Sequence, residues 1–323
     1  MDTLFISAGF FGYYKEIISK LESQGRSVLW FEDRPATDGL TKAALRVAPS
    51  LLRNRCCAYF DAIIQQARQH DIRDVLVIKG EGLLPETIAK MRRALPKARF
   101  TLYYWDSYRN MPAESPQKVD FFDRVFSFDP DDVVSDRRLT YRPLFYVDGF
   151  AKIAKPEPDI DVLFIGTVHS DRYAVIRRIE AALPPELSFK SLLYMRTRQL
   201  YWVSRVVKPS YWRAREAEFI FDPISRGEVM SLISRARMVI DVERAIQTGF
   251  TMRTIEMLGA SKKLITTNRK IETADFYLPS NQLYVDRYKV SIPDAFLTSE
   301  WQACDPQLLG RYSLDGWMKE VLG

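Results

Sequence analysis

Histidine and cysteine are scarce in this chain of 323 residues. It has two histidines, His70 and His169, and three cysteines, two of which are adjacent. So few imidazole and thiolate ligands argue against a zinc site. Three cysteines make no disulfide framework, and the adjacent pair Cys56 and Cys57 is typical of small core residues in a reduced compartment.

Long hydrophobic runs are also missing. No stretch approaches the roughly 18 apolar residues that a membrane-spanning helix needs, so we expect none. The first residues place an acid before the apolar stretch without a basic region, so they are not expected to be a secretory signal. The turn SAGFFG (7–12) lacks the full G-x-G-x-x-G pattern, which makes a dinucleotide-binding turn a poor interpretation.

Basic residues are in excess, and the formal net charge is +6. Such an excess favours anionic partners: phosphorylated ligands, an anionic membrane surface or nucleic acid. Many of the basic residues lie in 196–215, RTRQLYWVSRVVKPSYWRAR, interleaved with tyrosine and tryptophan. This segment fits a surface that meets anionic lipid headgroups, and equally a solvated helix pair with its aromatics in the core. No recognised nucleic-acid-binding module accompanies it, so we expect no nucleic-acid partner.

Short apolar runs alternate with helical patterns along the chain. The runs are continuous and rich in β-branched and aromatic residues, as buried parallel strands are. They are residues 3–8, 27–33, 74–80, 99–106 and 124–129, then 161–167, 188–194, 237–242, 263–268 and 283–286. Two successive strand–helix–strand series predict an α/β fold with two parallel sheets and helices on both faces.

The segment 151–160 has two prolines and no periodicity, and we interpret it as a linker. This divides the chain into a first Rossmann-like domain at 1–150 and a second at 161–300. Residues 301–323 are expected to form a final helix. Ligands in such folds bind at the carboxyl ends of strands, and we expect the two domains to face each other across a cleft that holds the site.

Residues 247–256, QTGFTMRTIE, follow a predicted strand and open a helix that is expected to end at Gly259. Backbone amides at a helix start, with the positive end of its dipole, bind phosphate. A guanidinium at Arg253 adds forked donors, and a carboxylate one turn later can accept both hydroxyls of a ribose. The alternative is an i,i+3 ion pair on an exposed face, worth only about 0.2–0.5 kcal/mol. The candidate donor-binding residues here are Thr248, Gly249, Thr251, Arg253 and Glu256.

A second candidate loop, FIGTVHSDRY (164–173), follows the first strand of the second domain. Gly166 and Thr167 predict a tight turn where backbone can approach a ligand. We expect His169 and Arg172 to project toward the cleft, with Ser170 as a helix N-cap. The alternative for His169 is a helix-entry residue bonded to backbone.

In the first domain, Glu81 and Asp106 follow the third and fourth strands. Asp106 is the candidate general base for an acceptor hydroxyl, and Glu81 is its rival. Either carboxylate could instead be a helix N-cap. The acids of residues 129–132, DPDD, are better explained as cap and dipole partners of a helix that begins at Pro130 than as metal ligands.

The stretch RTIEMLGASKKLITTN (253–268) resembles the donor-site helix and following strand of GT-B glycosyltransferases. FISAGFFGYYKEI, VIKGE, YYWDS, DRVFSFD, LFYVD, FIGTVHSDRY and QTGFTMRTIEMLGASKKLITTN, in that order, resemble a bacterial group associated with capsule and lipopolysaccharide biosynthesis. That group is related to CgeB-type glycosyltransferases. The matches run over nearly the whole chain, from Leu4 to the final YSLDGWMKEVL.

The resemblance implies a GT-B enzyme that moves a sugar from a nucleoside-diphosphate donor to a glycan or lipid-linked acceptor. In such enzymes the residue matching Glu256 binds the donor ribose, and the loop matching Gly166, Thr167 and Arg172 contacts the diphosphate. A turn matching Gly9 and Phe10 lines the acceptor side there, and a plain tight turn is the alternative here. The resemblance also implies that the final helix, in 301–323, packs back on the first domain. Neither a metal nor a cofactor is expected, and the implied place is the cytoplasm, peripheral to the inner face of the cytoplasmic membrane.

One departure from the pattern is important. Many retaining GT-B enzymes carry a second glutamate eight residues before the ribose-binding one, where this chain has Thr248. The resemblance therefore assigns no stereochemical outcome. Two other classes stay open: a non-catalytic protein that binds a sugar nucleotide or polysaccharide, and a NAD-dependent sugar-modifying enzyme.

Overall fold

The computed structural model describes residues 1–9, 12–36 and 52–323. Two compact units divide the chain. Unit 1 comprises Met1–Leu144, Gln247–Gly249 and Leu314–Gly323, and unit 2 comprises Phe145–Ile246 and Phe250–Ser313. Each unit contains one six-stranded sheet whose paired strands are all parallel.

The elements follow one another as alternating strands and helices, with a few short 3₁₀ turns. The first part of the chain contains β1 (Thr3–Ile6), α1 (Tyr13–Ser23), β2 (Val28–Phe31), α2 (Arg53–Ala67), β3 (Asp74–Ile78), α3 (Pro85–Ala94), β4 (Arg99–Tyr104), β5 (Arg124–Ser127), α4 (Pro130–Ser135) and β6 (Thr140–Tyr141). The rest contains α5 (Asp148–Ala151), β7 (Ile160–Thr167), α6 (Arg172–Ala181), β8 (Phe189–Tyr194), α7 (Arg198–Val207), β9 (Phe219–Ile220), α8 (Arg226–Arg235), β10 (Ala236–Asp241), α9 (Met252–Ala260), β11 (Lys263–Thr266), β12 (Gln282–Tyr284), α10 (Asp294–Thr298), α11 (Pro306–Tyr312) and α12 (Leu314–Leu322).

The sheet of unit 1 has the strand order β2-β1-β3-β4-β5-β6. Its order therefore reverses between β1 and β3, which pair directly, with Leu4 opposite Val75. Both strands are buried along their whole length, because helices cover both faces of a parallel sheet. The last helix, α12, belongs to this unit, where the Trp317 and Tyr103 rings meet at 4.9 Å.

The sheet of unit 2 has the strand order β12-β11-β10-β7-β8-β9. Counted within the unit, this is the doubly wound order 3-2-1-4-5-6, which reverses between its first strand, β7, and its fourth, β10. Val162 on β7 lies opposite Met238 on β10, and both are fully buried. The two sheets confirm the predicted α/β fold class.

Local sequence signals lie at several element ends. Pro85 begins α3, and Ser225 with Glu228 forms the capping box of α8. Gly25 has a φ of 80° just after α1, as expected for a residue that follows a helix end. Each predicted strand run contains a strand, whereas the two-residue strands β6 and β9 were not predicted because they are too short to show a pattern.

The end of α9 differs from the prediction. The helix continues to Ala260, and Ser261 caps it with a left-handed φ of 54°. Gly259 lies inside the helix, where a Cβ atom would collide with the ring of Tyr146. This glycine therefore allows close packing within unit 2 and does not terminate the helix.

Candidate functional site

The strongest candidate site in unit 2 lies where its strand order reverses. At such a point the connections from two neighbouring strands lead to opposite faces of the sheet, which leaves a crevice at the carboxyl ends of the strands. Here those strands are β7, which ends with Gly166 and Thr167, and β10, which is followed by Val242, Glu243 and Arg244. Helices α6 and α9 begin after these two strands.

Arg172 joins the loops that follow the two strands. Its Nε donates to the carbonyl oxygen of Val242 at 2.8 Å, Nη1 donates to that of Thr167 at 2.7 Å, and Nη2 also reaches Val242. A Cβ atom on Gly166 would lie 3.4 Å from Nη1 and 3.0 Å from the Phe164 ring, so glycine leaves room for this packing. The structure thus gives Arg172 main-chain partners, and its predicted contact with a diphosphate stays a prediction.

His169 lies half-buried in the same loop. Burial, with repulsion from the guanidinium groups of Arg172 and Arg244, lowers its pKa to about 4. Its Nδ1 is 3.4 Å from the hydroxyl of Ser170, a residue with a left-handed φ of 51°. The imidazole is therefore neutral near pH 7, which leaves it able to donate or accept a hydrogen bond.

The start of α6 differs from the prediction. Asp171, and not Ser170, is the N-cap residue, and its side chain makes no capping hydrogen bond. The carboxylate instead pairs with Arg287 at 2.9 Å, and Arg287 also binds Glu243 at 2.8 Å. Because an ion pair claims the Asp171 carboxylate, the first amides of α6 keep no side-chain cap.

Arg244 is the main residue that the sequence analysis missed. It is exposed, and it has no hydrogen bond or ion pair to any residue that the structure describes. The available signal was its position, three residues after β10 and hence at the carboxyl edge of the sheet. Our interpretation of that strand stopped at residue 242, two residues before Arg244.

The start of α9 is half-exposed, and its threonines contact the carboxylate of Asp241 at the end of β10. Thr251 is the N-cap, and its Oγ1 accepts from the Thr254 amide at 3.2 Å. Both threonine hydroxyls donate to Asp241 Oδ2, at 2.6 and 2.8 Å. Asp241 is 6% exposed, so a buried negative charge lies behind this helix start. That charge weakens the attraction of the α9 tip for an anion.

Arg253 and Glu256 form the i,i+3 pair that the sequence analysis left open. Arg253 Nη1 lies 3.3 Å from Glu256 Oε2. The pair is not on an exposed face, since the side chains are 19% and 5% exposed. Its energy is therefore not that of a surface pair, and the ribose-binding role of Glu256 stays a prediction.

Thr248 and Gly249 lie in unit 1, apart from the other predicted donor-binding residues. The hydroxyl of Thr248 donates to Asp129 Oδ1 at 2.5 Å. A Cβ atom on Gly249 would lie 2.6 Å from the carbonyl oxygen of Phe128. Asp129 also accepts from the Asp131 amide at 3.0 Å, which confirms the prediction that it caps α4.

The corresponding edge of unit 1 presents a carboxylate. Lys79 follows β3 with a left-handed φ of 65°, and its Nζ lies 2.5 Å from Asp106 and 3.0 Å from Glu81. Burial alone would lower the pKa of Lys79, but the two carboxylates outweigh it and raise that pKa. The side chain of Asp106 is 31% exposed, whereas that of Glu81 is fully buried and also pairs with Arg34 at 2.7 Å.

A buried lysine also contacts the backbone at this edge of the unit 1 sheet. Lys118 is 2% exposed and donates to the carbonyl oxygen of Gly80 at 2.7 Å, and burial lowers its pKa to about 8. Gly9, predicted on the acceptor side, follows β1, and its amide donates to Glu32 Oε2 at 2.9 Å. Phe10, predicted beside it, lies outside the described residues. The Trp105 ring, next to Asp106, packs 5.7 Å from Tyr13.

Metal-binding clusters and membrane-spanning helices are both absent from the described residues 1–9, 12–36 and 52–323. No group of three or more histidine, cysteine, aspartate or glutamate side chains there could hold a metal ion. No helix in that part of the chain is long and apolar enough to cross a membrane.

The two parallel six-stranded sheets, each in a unit with its own helices, define a GT-B fold, the architecture of many glycosyltransferases. Solved structures with this fold align over the whole chain. No protein-family model matches the sequence, and no curated protein matches it either.

Three of the similar structures illustrate the likeness. A glycosyltransferase from Rickettsia africae ESF-5 aligns with a TM-score of 0.63 and 10% identity, over 99% of this chain and 97% of that one. The apo structure of OtsA gives 0.64 and 11%, over 100% and 98%. Phytolacca americana UGT2, complexed with UDP-2fluoro-glucose and pterostilbene, gives 0.51 and 11%, over 100% and 98%. At these identities the likeness establishes the fold.

Proposed function

We propose that this protein is a glycosyltransferase that moves a sugar from a nucleoside-diphosphate donor to a glycan or lipid-linked acceptor. One observation carries the proposal: the reversal point of the unit 2 sheet combines the exposed guanidinium of Arg244, which pairs with no residue in the described part of the chain, with a neutral imidazole at His169 and a start of α6 that has no side-chain cap. Crevices of this kind are where doubly wound sheets bind nucleotides. The resemblance to capsule and lipopolysaccharide enzymes favours a surface polysaccharide as the product.

The donor diphosphate is assigned to the loop between β7 and α6. The first amides of α6 and the Arg244 guanidinium supply donors to its oxygens, and His169 adds a neutral hydrogen bond. Arg172 acts as a positioning residue, because its hydrogen bonds hold the Thr167 and Val242 carbonyls together. For Glu256 to accept the ribose hydroxyls, Arg253 must release one carboxylate oxygen when the ligand binds.

The acceptor is assigned to the exposed carboxylate of unit 1. Asp106 accepts the proton of an acceptor hydroxyl while that oxygen forms a bond to the anomeric carbon of the donor sugar. The bond from that carbon to the diphosphate breaks, and the electron pair leaves with the nucleoside diphosphate, whose charge Arg244 stabilises. Lys79 fixes the position of Asp106. Glu81 is the weaker candidate for the base, since it is fully buried and paired with Arg34.

Calorimetric titration with UDP, GDP, TDP and ADP tests the donor site. We expect at least one to bind, and Arg244→Gln to weaken it about 10- to 100-fold, since a hydrogen bond to a charged group contributes about 1.5–3 kcal/mol. Arg177→Gln is the matched control, because Arg177 lies on α6 and is 47% exposed but pairs with Glu180. Failure of every nucleotide to bind, or equal affinity in Arg244→Gln, would refute the donor assignment.

Turnover separates the proposal from the two alternatives. A glycosyltransferase hydrolyses its donor slowly even without acceptor, so free sugar should accumulate with the nucleotide sugar that binds. A non-catalytic binding protein would bind the same nucleotide and release no sugar. A NAD-dependent enzyme would instead quench or shift NADH fluorescence on titration.

A further inference from the structure

Helix α7 presents its apolar side to solvent. On its inner side the helix buries its own residues Tyr201 and Ser204. On its outer side Val203, Val206 and Val207 are 57%, 79% and 69% exposed. Apolar residues normally occupy the side of a surface helix that faces the core. The ten-residue helix α7 is strongly amphipathic, but its apolar side faces solvent instead of the core. An exposed apolar surface of this kind indicates a site for an apolar partner.

The orientation of this helix is fixed from within unit 2. The Tyr201 hydroxyl donates to the carbonyl oxygen of Ala214 at 2.9 Å, and the Tyr211 ring lies 4.6 Å from that of Tyr173. Tyr201 is 0% exposed and Tyr211 is 2% exposed. Rotating α7 to bury its valines would expose the ring of Tyr201, which is a residue of this helix, so the outward apolar side is a consequence of the fold.

The aromatic residues of the segment divide by type. Tyr201 and Tyr211 belong to the core, as one of the two interpretations of 196–215 expected. Trp202 and Trp212, the neighbours that follow them, are 52% and 61% exposed, which that interpretation did not expect. Tryptophan, like tyrosine, is enriched at boundaries between water and lipid, since its ring is apolar and its N–H can donate a hydrogen bond.

Charge identifies the partner. The segment 196–215 contains no acidic residue, and its basic residues are Arg196, Arg198, Arg205, Lys208, Arg213 and Arg215. Glu216 and Glu218, just beyond it, pair with two of these arginines. The Arg205 guanidinium lies 5.7 Å from the Trp202 ring centre. The exposed apolar side is thus bordered by cations.

We propose that residues 196–215, here called the α7 surface, dock on an anionic lipid bilayer. The helix lies in the plane of the membrane, with Leu200, Val203, Val206 and Val207 at the acyl boundary and the tryptophans at headgroup depth. The basic residues contact anionic headgroups, and their long stems follow the apolar side. A second copy of the chain fits less well, because two such surfaces would bring like charges together.

Co-sedimentation with 100 nm vesicles of phosphatidylcholine, with or without 30% phosphatidylglycerol, tests the proposal. We expect binding to the anionic vesicles that falls as the salt concentration rises, and little binding to the neutral ones. Arg205→Glu with Arg213→Glu should weaken partitioning by more than about 25-fold, at roughly 5-fold for each charge removed. Val206→Ser with Val207→Ser should weaken it at unchanged charge.

Matched controls come from other exposed positions. Lys152→Glu with Arg73→Glu changes the net charge equally at side chains 78% and 74% exposed, and Val134→Ser removes a valine that is 79% exposed on α4. These should bind vesicles like the wild type. Circular dichroism and melting temperature verify folding, and unchanged nucleotide affinity separates this proposal from the donor site.

Several outcomes would overturn the proposal. One is a wild-type protein that ignores anionic vesicles, and another is equal loss of binding in the control variants. A third is a dimer in light scattering that the valine substitutions convert to monomer, which would assign the α7 surface to a second copy.

Discussion

The candidate sites of both units lie at the carboxyl edge of a parallel sheet, but the two edges expose opposite charges. In unit 2 the candidate site lies where the strand order reverses, between β7 and β10, whereas in unit 1 the candidate carboxylates follow β3 and β4, beside the reversal between β1 and β3. The edge of unit 1 exposes a carboxylate, Asp106, and the edge of unit 2 exposes a guanidinium, Arg244. One edge suits proton transfer and the other suits an anion.

The charges beneath each edge explain this difference. In unit 1, Lys79 lies between two carboxylates and is satisfied by them, so only the outer one, Asp106, reaches solvent. In unit 2, Arg172 and Arg287 are both occupied, by main-chain carbonyls and by Asp171 with Glu243. The similar folds therefore place a candidate site at the carboxyl edge of each sheet, while buried ion pairing decides which charge that edge exposes.

The largest effect is expected from removing the carboxylate that unit 1 exposes. Asp106→Asn keeps the side-chain size but cannot accept a proton, so transfer should slow by about 10²–10⁴-fold while nucleotide affinity stays unchanged. Initial rates and calorimetry measure the two quantities. Asp61→Asn is the control, because Asp61 also pairs with a lysine, Lys90, on the surface of helices α2 and α3. Full turnover by Asp106→Asn would remove this residue from the mechanism.

The second prediction concerns the close packing of Gly259, in α9, against Tyr146 in unit 2. Gly259→Ala places a methyl group into the ring of Tyr146, so we expect a loss of about 1–3 kcal/mol in the free energy of unfolding. In Gly227→Ala, in α8, the added Cβ atom would meet Ser225 Oγ at an ordinary contact distance of 3.9 Å, so this variant should be neutral or stabilising by up to about 1 kcal/mol. Urea denaturation compares the two, and a Gly259→Ala variant as stable as Gly227→Ala would show that Tyr146 is not a tight neighbour.

The neutral imidazole of unit 2 predicts a pH dependence of stability. The pKa of His169 is about 4 in the folded protein and near 6.5 when unfolded, so the unfolded state binds the proton first as the pH falls. The stability that the neutral His169 contributes to the folded protein is complete above pH 6.5 and is lost as the pH falls toward 4. Between pH 7 and pH 5 the wild type should lose about 1 kcal/mol more than His169→Gln, because solvent screening of this half-buried side chain reduces the effect of the full pKa shift. Parallel loss in both proteins, in urea denaturation at each pH, would contradict this.

A smaller effect is expected at Glu256. Glu256→Gln should weaken nucleoside diphosphate binding about 10-fold, because an amide accepts from a diol less strongly than a carboxylate does. Inorganic pyrophosphate, which has no ribose, should bind both proteins equally. Calorimetry with the two ligands makes the comparison. Equal weakening for both would assign Glu256 a structural role with Arg253.

Sequence patterns predicted the fold class and many element ends because these depend on neighbours in the chain. Buried strands show as apolar runs, and Pro85 or the Ser225–Glu228 box marks a helix start within one turn. The site was less predictable. Arg172 looked like a phosphate ligand, but its partner Val242 lies 70 residues away and cannot be read from local spacing.

The sequence by itself therefore determined two parallel sheets, the loops at their carboxyl edges, and an aromatic and basic segment at 196–215. Only the tertiary structure decided which charge each edge exposes, which tyrosines enter the core, and which tryptophans face solvent. The physical reason is that periodicity and capping act within a few residues. The direction of a long polar or aromatic side chain depends instead on partners that the fold brings from distant parts of the chain.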